Sequence, residues 1–154
     1  MNKVLGKDST CSIARSLDVF GDSWTLLIIR EAIVAGSTRF QEFREALGIA
    51  PNILAKRMAL LVEEGLMERR TYREPGVRAR DEYVLTEAGR SLTPVIAALA
   101  AWGRAYRPRP DGTSPRFTSE DSGTVAQLAF VTAEGDRVPP ARLTARRFAD
   151  PVLD

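Results

Sequence analysis

The chain of 154 residues contains no histidine and a single cysteine, Cys11. Without histidine, the commonest general base and the commonest metal ligand are both missing. One cysteine excludes an intrachain disulfide and a cysteine-built zinc site. Neither phosphate-cradling glycine motif, G-x-x-x-x-G-K-[ST] or G-x-G-x-x-G, occurs anywhere in the sequence. No catalytic set can be named, and neither an enzymatic activity nor a cofactor or metal is expected. Long apolar runs are also lacking. The longest, Val95–Trp102, falls well short of a membrane span. No apolar segment follows Lys3 and Lys7 at the N-terminus, so a secretory leader and a membrane location are not expected and a cytoplasmic one is.

What is present has ordinary globular composition, 44% hydrophobic and 27% charged, which argues against wholesale disorder. The length fits one domain with a tail. Net charge is only +2, but 19 of the 22 basic residues are arginine, whose planar fork suits phosphates and guanine. Where those arginines lie matters more than their number.

Helical periodicity and caps divide the first hundred residues into short elements. Residues 10–20 read as a helix with Ser12 as N-cap and Ile13, Leu17 and Phe20 on one face. Asp22 caps a second helix, Ser23 to Ala35, apolar almost all round and therefore expected at the buried centre. Thr38 and Gln41 form a capping box for a third, with Phe40, Phe43 and Leu47 inward. After Gly48 comes a very short turn, and Pro51 opens a fourth helix that runs to Glu64. Two helices joined this tightly through a glycine form a helix-turn-helix. Leu66 to Arg73 and Arg80 to Leu85 follow as β-type runs around the turn Glu74-Pro75-Gly76-Val77. A hairpin directly after a helix-turn-helix is the order of a winged helix. Thr86 then caps a long helix striped with Leu92, Val95, Ile96, Leu99, Trp102 and Tyr106, which Pro94 should bend or shorten by a turn.

The expected fold is mainly α with a small β-hairpin wing: a winged helix-turn-helix over 1–107, a linker over 108–123, and an extension over 124–154. In the extension, strands are expected at Thr124–Thr132 and Arg142–Phe148.

The fourth helix has a core side (Leu54, Met58, Leu61, Val62) and an opposite side that begins with Asn52 and Lys56. Recognition helices present such N-terminal polar residues to base edges, Asn to adenine and Lys to guanine. A solvated helix face is the plain alternative. From Arg69 to Arg80 five arginines face one acid, Glu74, so this segment alone carries +4. Arg73, Arg78 and Arg80 would then grip phosphates or a minor groove, unless they merely protect a hairpin edge. Arg39 opens the third helix, and Arg57 could reach a phosphate or an acid within the domain. Ile13, Leu17, Leu99, Trp102 and Tyr106 supply more apolar surface than one small domain covers, which points to a two-fold partner.

Residues 11–31, Cys-Ser-Ile-Ala-Arg-Ser-Leu-Asp-Val-Phe-Gly-Asp-Ser-Trp-Thr-Leu-Leu-Ile-Ile-Arg-Glu, resemble the opening of HxlR-type bacterial transcription regulators. Arg39-Phe-Gln-Glu-Phe, Leu54-Ala-Lys-Arg-Met, Glu64-Gly-Leu-Met-Glu-Arg69 and Glu82-Tyr-Val-Leu-Thr-Glu-Ala-Gly89 continue the resemblance in order, over about residues 8–107. It implies a winged-helix homodimer, related in architecture to MarR-type regulators, on pseudo-palindromic operator DNA. It also implies contacts by the recognition helix that opens at Pro51. The chain departs from the pattern at Ala50, where serine usually precedes the proline, and at Ser12, where proline commonly follows the cysteine. In some members the cysteine at the position of Cys11 senses oxidants or electrophiles. A small-molecule effector between the dimer helices and the tail hairpin is a further reading. A winged helix that binds protein rather than DNA is the alternative function.

Overall fold

The computed structural model describes residues 6–73, 76 and 79–145, in two compact units that divide after Pro115. The first unit runs α1 (Ser12–Phe20), α2 (Ser23–Val34), α3 (Phe40–Leu47), α4 (Pro51–Glu63), β1 (Met67–Tyr72), β2 (Arg80–Leu85), α5 (Glu87–Arg90) and α6 (Thr93–Tyr106).

α2 is the hub: it packs against α1, α3, α4, α6 and β2. Asp22 starts it, accepting the backbone N–H of Thr25 at 3.2 Å. Thr25, Ile28 and Ile29 are wholly enclosed, yet Leu27 and Val34 are exposed, so α2 is central without being covered on every side. α3 brings Phe43 and α4 brings Leu54, Met58 and Leu61 into the same core, each without measurable exposure. Burying each such side chain contributes on the order of 1.5–3 kcal/mol. Between α3 and α4, Gly48 adopts the left-handed conformation (φ 60°) and Ile49 turns inward, 3% exposed. The glycine permits the reversal, and the isoleucine fastens it to the core.

Two N-caps differ from the sequence expectation. Cys11, not Ser12, is the N-cap of α1. Arg39, not Thr38, is the N-cap of α3, and the reciprocal acid is Glu42 rather than Gln41. Its carboxylate accepts from Thr38 N at 2.9 Å and Arg39 N at 3.0 Å. The shift has a tertiary cause. Tyr83 N donates to Thr38 O at 2.7 Å, and Arg39 forms an isolated antiparallel bridge with Glu82, so these two residues are held beside β2.

β1 and β2 pair antiparallel from Met67↔Leu85 to Tyr72↔Arg80. Met67 and Leu85 anchor the base of this hairpin in the core. The expected long fifth helix is divided. Thr86 caps the four-residue α5, and α6 starts afresh at Thr93 with Pro94 in its first turn, where the missing N–H costs least. Of the expected stripe only Leu92 and Ile96 are buried; Leu99, Trp102 and Tyr106 are 51%, 56% and 66% exposed. Trp102 and Tyr106 lie ring against ring at 5.4 Å.

In the second unit β3 (Phe130–Val131) pairs with β4 (Arg137–Val138), and Pro140–Arg142 forms a short 3-10 turn. The hairpin is shorter than expected and its second strand lies earlier. The turn at Glu134-Gly135 reverses the chain at once, and Pro139, lacking an N–H, ends the ladder before Arg142. Phe148 lies outside the described residues. No described residue of this unit is buried, and Val125, Leu128, Phe130, Val131 and Leu143 are exposed.

Candidate nucleic-acid interface

The outer side of α4 forms a single stripe of exposed residues, Asn52, Ala55, Lys56, Ala59 and Glu63, directly opposite the buried Leu54, Met58 and Leu61. Asn52 and Lys56 lie one turn apart at its N-terminal end, and Ala55 and Ala59 beside them keep the ridge low. A low ridge lets long polar side chains reach base edges and lets an alanine methyl meet a thymine methyl. Pro51 is exposed at the helix start. Ala50 places no side-chain oxygen on the first-turn N–H groups. This helix end is therefore electropositive and suited to a phosphate.

Arg57 points elsewhere. Its guanidinium donates to Asp22 Oδ2 at 2.9 Å, so the structure places it with an acid of its own domain. Asp22 thus holds two things at once, the first turn of α2 and the side of α4. Nothing local in the sequence marks this pair, because 35 residues separate its members.

The hairpin arginines divide into two sets. Arg69 pairs with Asp81 at 2.5 Å, and Arg70 pairs with Glu68. The Asp81 carboxyl is held below its ordinary range by the Arg69 hydrogen bond and then by the Thr71 hydroxyl. Arg73 and Arg80 are exposed and form no ion pair among the described residues. Arg78 lies outside the described residues. The local excess of positive charge is therefore smaller than the arginine count suggests and is concentrated toward the hairpin tip. Arg39, exposed at the start of α3, lies over the Tyr72 ring at 5.1 Å and 4.0 Å from Glu42. Tyr72 thereby joins the third helix to the wing, a role that only the hairpin register reveals.

Among the described residues no group of histidine, cysteine, aspartate and glutamate side chains could hold a metal ion, and no helix is long and apolar enough to cross a membrane. The remaining sequence candidates are exposed as well. Ile13 and Leu17 are 70% and 46% exposed on α1, and Leu99, Trp102 and Tyr106 are exposed on α6. Cys11, at the head of α1, is exposed and free.

Exposed helix after tight turn, buried opposite side and adjoining hairpin define a winged helix-turn-helix protein. Residues 19–111 match the model of the HxlR-like helix-turn-helix family. The chain belongs to that family of transcriptional regulators. It is 46% identical over 134 residues to the HTH-type transcriptional regulator Rv3095 of Mycobacterium tuberculosis, covering 86% of this chain and 83% of that one. Among solved structures, the transcription factor candidate PA1607 superposes with a TM-score of 0.78 at 38% identity, covering 92% of this chain and 98% of its own. The redox regulator HypR in its reduced form superposes with a TM-score of 0.56 at 31% identity, over 63% and 94% respectively.

Proposed function

We propose that this protein binds operator DNA sequence-specifically as a cytoplasmic homodimer, and that it represses transcription by occupying a pseudo-palindromic site. The observation that carries the reading is the outer stripe of α4, polar at its N-terminal end and low beyond it. α4 enters the major groove, with Asn52 and Lys56 toward base edges. Arg39, Arg73, Arg78 and Arg80 approach the phosphates or the adjacent minor groove. The exposed apolar side chains of α1 and α6 support pairing about a two-fold, which would set two copies of α4 about 34 Å apart, or a multiple of that.

Selection of genomic fragments on the purified protein, followed by binding at several salt concentrations, tests this. Operator affinity should fall steeply with salt. Arg73→Ala and Arg80→Ala should each weaken binding evenly across sequences and lower the salt slope by about 1. Asn52→Ala or Lys56→Ala should change which sequence is preferred, at a cost of about 1–3 kcal/mol. A protein that binds no duplex at low salt would instead be a protein-interaction module.

A second reading adds thiol control, supported by the exposed Cys11 at the head of a proposed dimer helix. HypR, the redox regulator similar to this chain, is known in reduced and oxidised forms. With one cysteine per chain the products would be an intersubunit disulfide, a mixed disulfide or an adduct. Diamide should alter operator affinity of the wild type and leave Cys11→Ser unchanged; equal responses would remove the reading.

A further inference from the structure

Two arginines from distant parts of the first unit meet at one aromatic side chain. Tyr72, half-buried, ends β1 directly opposite Arg80, which begins β2. Residues paired in this way leave the same face of a sheet, their Cβ atoms about 5 Å apart. Arg39 arrives from the other edge. Its bridge to Glu82 and the Tyr83 N–Thr38 O bond seat the start of α3 beside β2, and its Cζ lies 5.1 Å from the centre of the Tyr72 ring. The Arg39 side chain therefore spans β2 to reach β1. Glu42 steadies its root, 4.0 Å from Nε, while that carboxylate accepts from two backbone N–H groups. Glu82 leaves the same face of β2 as Arg80 and has Arg70 opposite it. The Tyr72 ring is thus flanked by Arg39 and Arg80, and the exposed Arg73 follows it directly in the chain.

We propose that Tyr72 is a positioning residue for DNA binding: its ring holds the Arg39 guanidinium on the face of the wing that carries Arg80, so that α3 and the wing grip one stretch of phosphate backbone together. The proposal deepens the operator-binding reading and rests on it. A cation over an aromatic ring engages the ring face, and the in-plane N–H donors of a guanidinium stay directed outward, where they can fork a phosphate. Arginine is long and loses much rotamer freedom on docking. Fixing it beforehand reduces that loss. Gathering Arg39 beside Arg80 also raises the positive potential at one place, which an anionic backbone relieves. Arg39 and Arg80 are 41 residues apart in sequence, and only the pairing of β1 with β2 brings them to the same ring.

The test measures binding of the full-length protein to a labelled random-sequence duplex and to a fragment selected from the genome, by fluorescence anisotropy over a series of salt concentrations. Tyr72→Leu, which keeps apolar bulk without a ring, should weaken both by about fivefold to tenfold and lower the salt slope by about 1, with the preferred sequence unchanged. Tyr72→Phe keeps the ring and should stay within about twofold of wild type. In an Arg39→Ala background, Tyr72→Leu should cost no more than about a further twofold. This last comparison separates positioning from damage, because a distorted wing would displace Arg73 and Arg80 as well and weaken Arg39→Ala further. Circular dichroism and thermal melting establish that each variant folds. An unaltered salt slope in Tyr72→Leu overturns the proposal, as does Tyr72→Phe binding as weakly as Tyr72→Leu, or losses that add between Tyr72→Leu and Arg39→Ala. Wild type that binds neither duplex at low salt would sink the operator reading and this proposal together. Wild type that binds beside an unaffected Tyr72→Leu would remove this proposal alone.

Discussion

Replacing Asp22 separates two contributions that one carboxylate makes. Asp22→Asn retains an N-cap of equal quality for α2 but removes the charge that holds Arg57. The two side chains are 31% and 27% exposed, between a surface pair worth about 0–1 kcal/mol and a buried one whose breaking costs about 3–5 kcal/mol. A loss near 1 kcal/mol is expected, or about 2–4 °C in melting temperature for a chain of this size. Asp22→Ala loses the cap as well, adding about 1 kcal/mol, so its total should be near 2 kcal/mol. Arg57→Ala should share the first contribution and not the second. The double-mutant cycle between Asp22→Asn and Arg57→Ala should therefore show a coupling of about 1 kcal/mol. Urea unfolding at fixed protein concentration, with unchanged denaturant slope, is the assay. Additivity within about 0.3 kcal/mol, or equal losses for Asp22→Asn and Asp22→Ala, would refute the reasoning. The same variants distinguish the partners of Arg57: with Asp22 as its partner, Arg57→Ala leaves the salt slope of operator binding unchanged.

Gly89 offers a steric test. A Cβ there would stand 2.0 Å from Leu66 O and 2.9 Å from Leu85 Cδ2, so Gly89→Ala should cost about 1–3 kcal/mol in urea unfolding. Gly103→Ala, with nothing within 4 Å, should be neutral or stabilising by about 0.5–1 kcal/mol. Glu42 predicts an acid dependence. Backbone N–H groups of Arg39 and Thr38 hold its carboxyl below the ordinary 4.5, so the unfolded chain takes up its proton first. Its contribution is complete above that value and fades as pH falls through it and below. The stability gap between wild type and Glu42→Gln should close on acidification from pH 6 to the acid range, which denaturant titrations at each pH would show. Finally, Leu99→Ser and Trp102→Ser should shift sedimentation toward the monomer while leaving the circular dichroism spectrum unchanged. An unchanged sedimentation profile would remove α6 from the proposed interface.

Most of the fold was legible because its elements announce themselves locally. Asp22, Gly48 and Pro51 mark ends that a glycine, a proline or an oxygen-bearing cap must occupy, and helical spacing alone put Asn52 and Lys56 opposite Leu54 and Met58. What escaped was decided between elements distant in sequence. Thr38 has the better cap side chain, but its carbonyl is taken by Tyr83 N, so the helix begins one residue later. The hairpin arginines are equivalent by composition. Only the pairing of β1 with β2 determines that Arg69 meets Asp81 while Arg73 and Arg80 do not. The tail strands were placed too long and the second too late, because pairing is confined to two residues on each side of the turn and Pro139 ends the ladder before Arg142.

The three-residue link from Gly48 to Ala50, secured by an inward isoleucine, fixes where α4 emerges independently of what its outer stripe displays. Asn52, Ala55, Lys56 and Ala59 contribute nothing to the interior. If the outer stripe of α4 reads DNA as proposed, a descendant arising by gene duplication would reach a different chromosomal address by exchanging these letters alone, its folding untouched along the way.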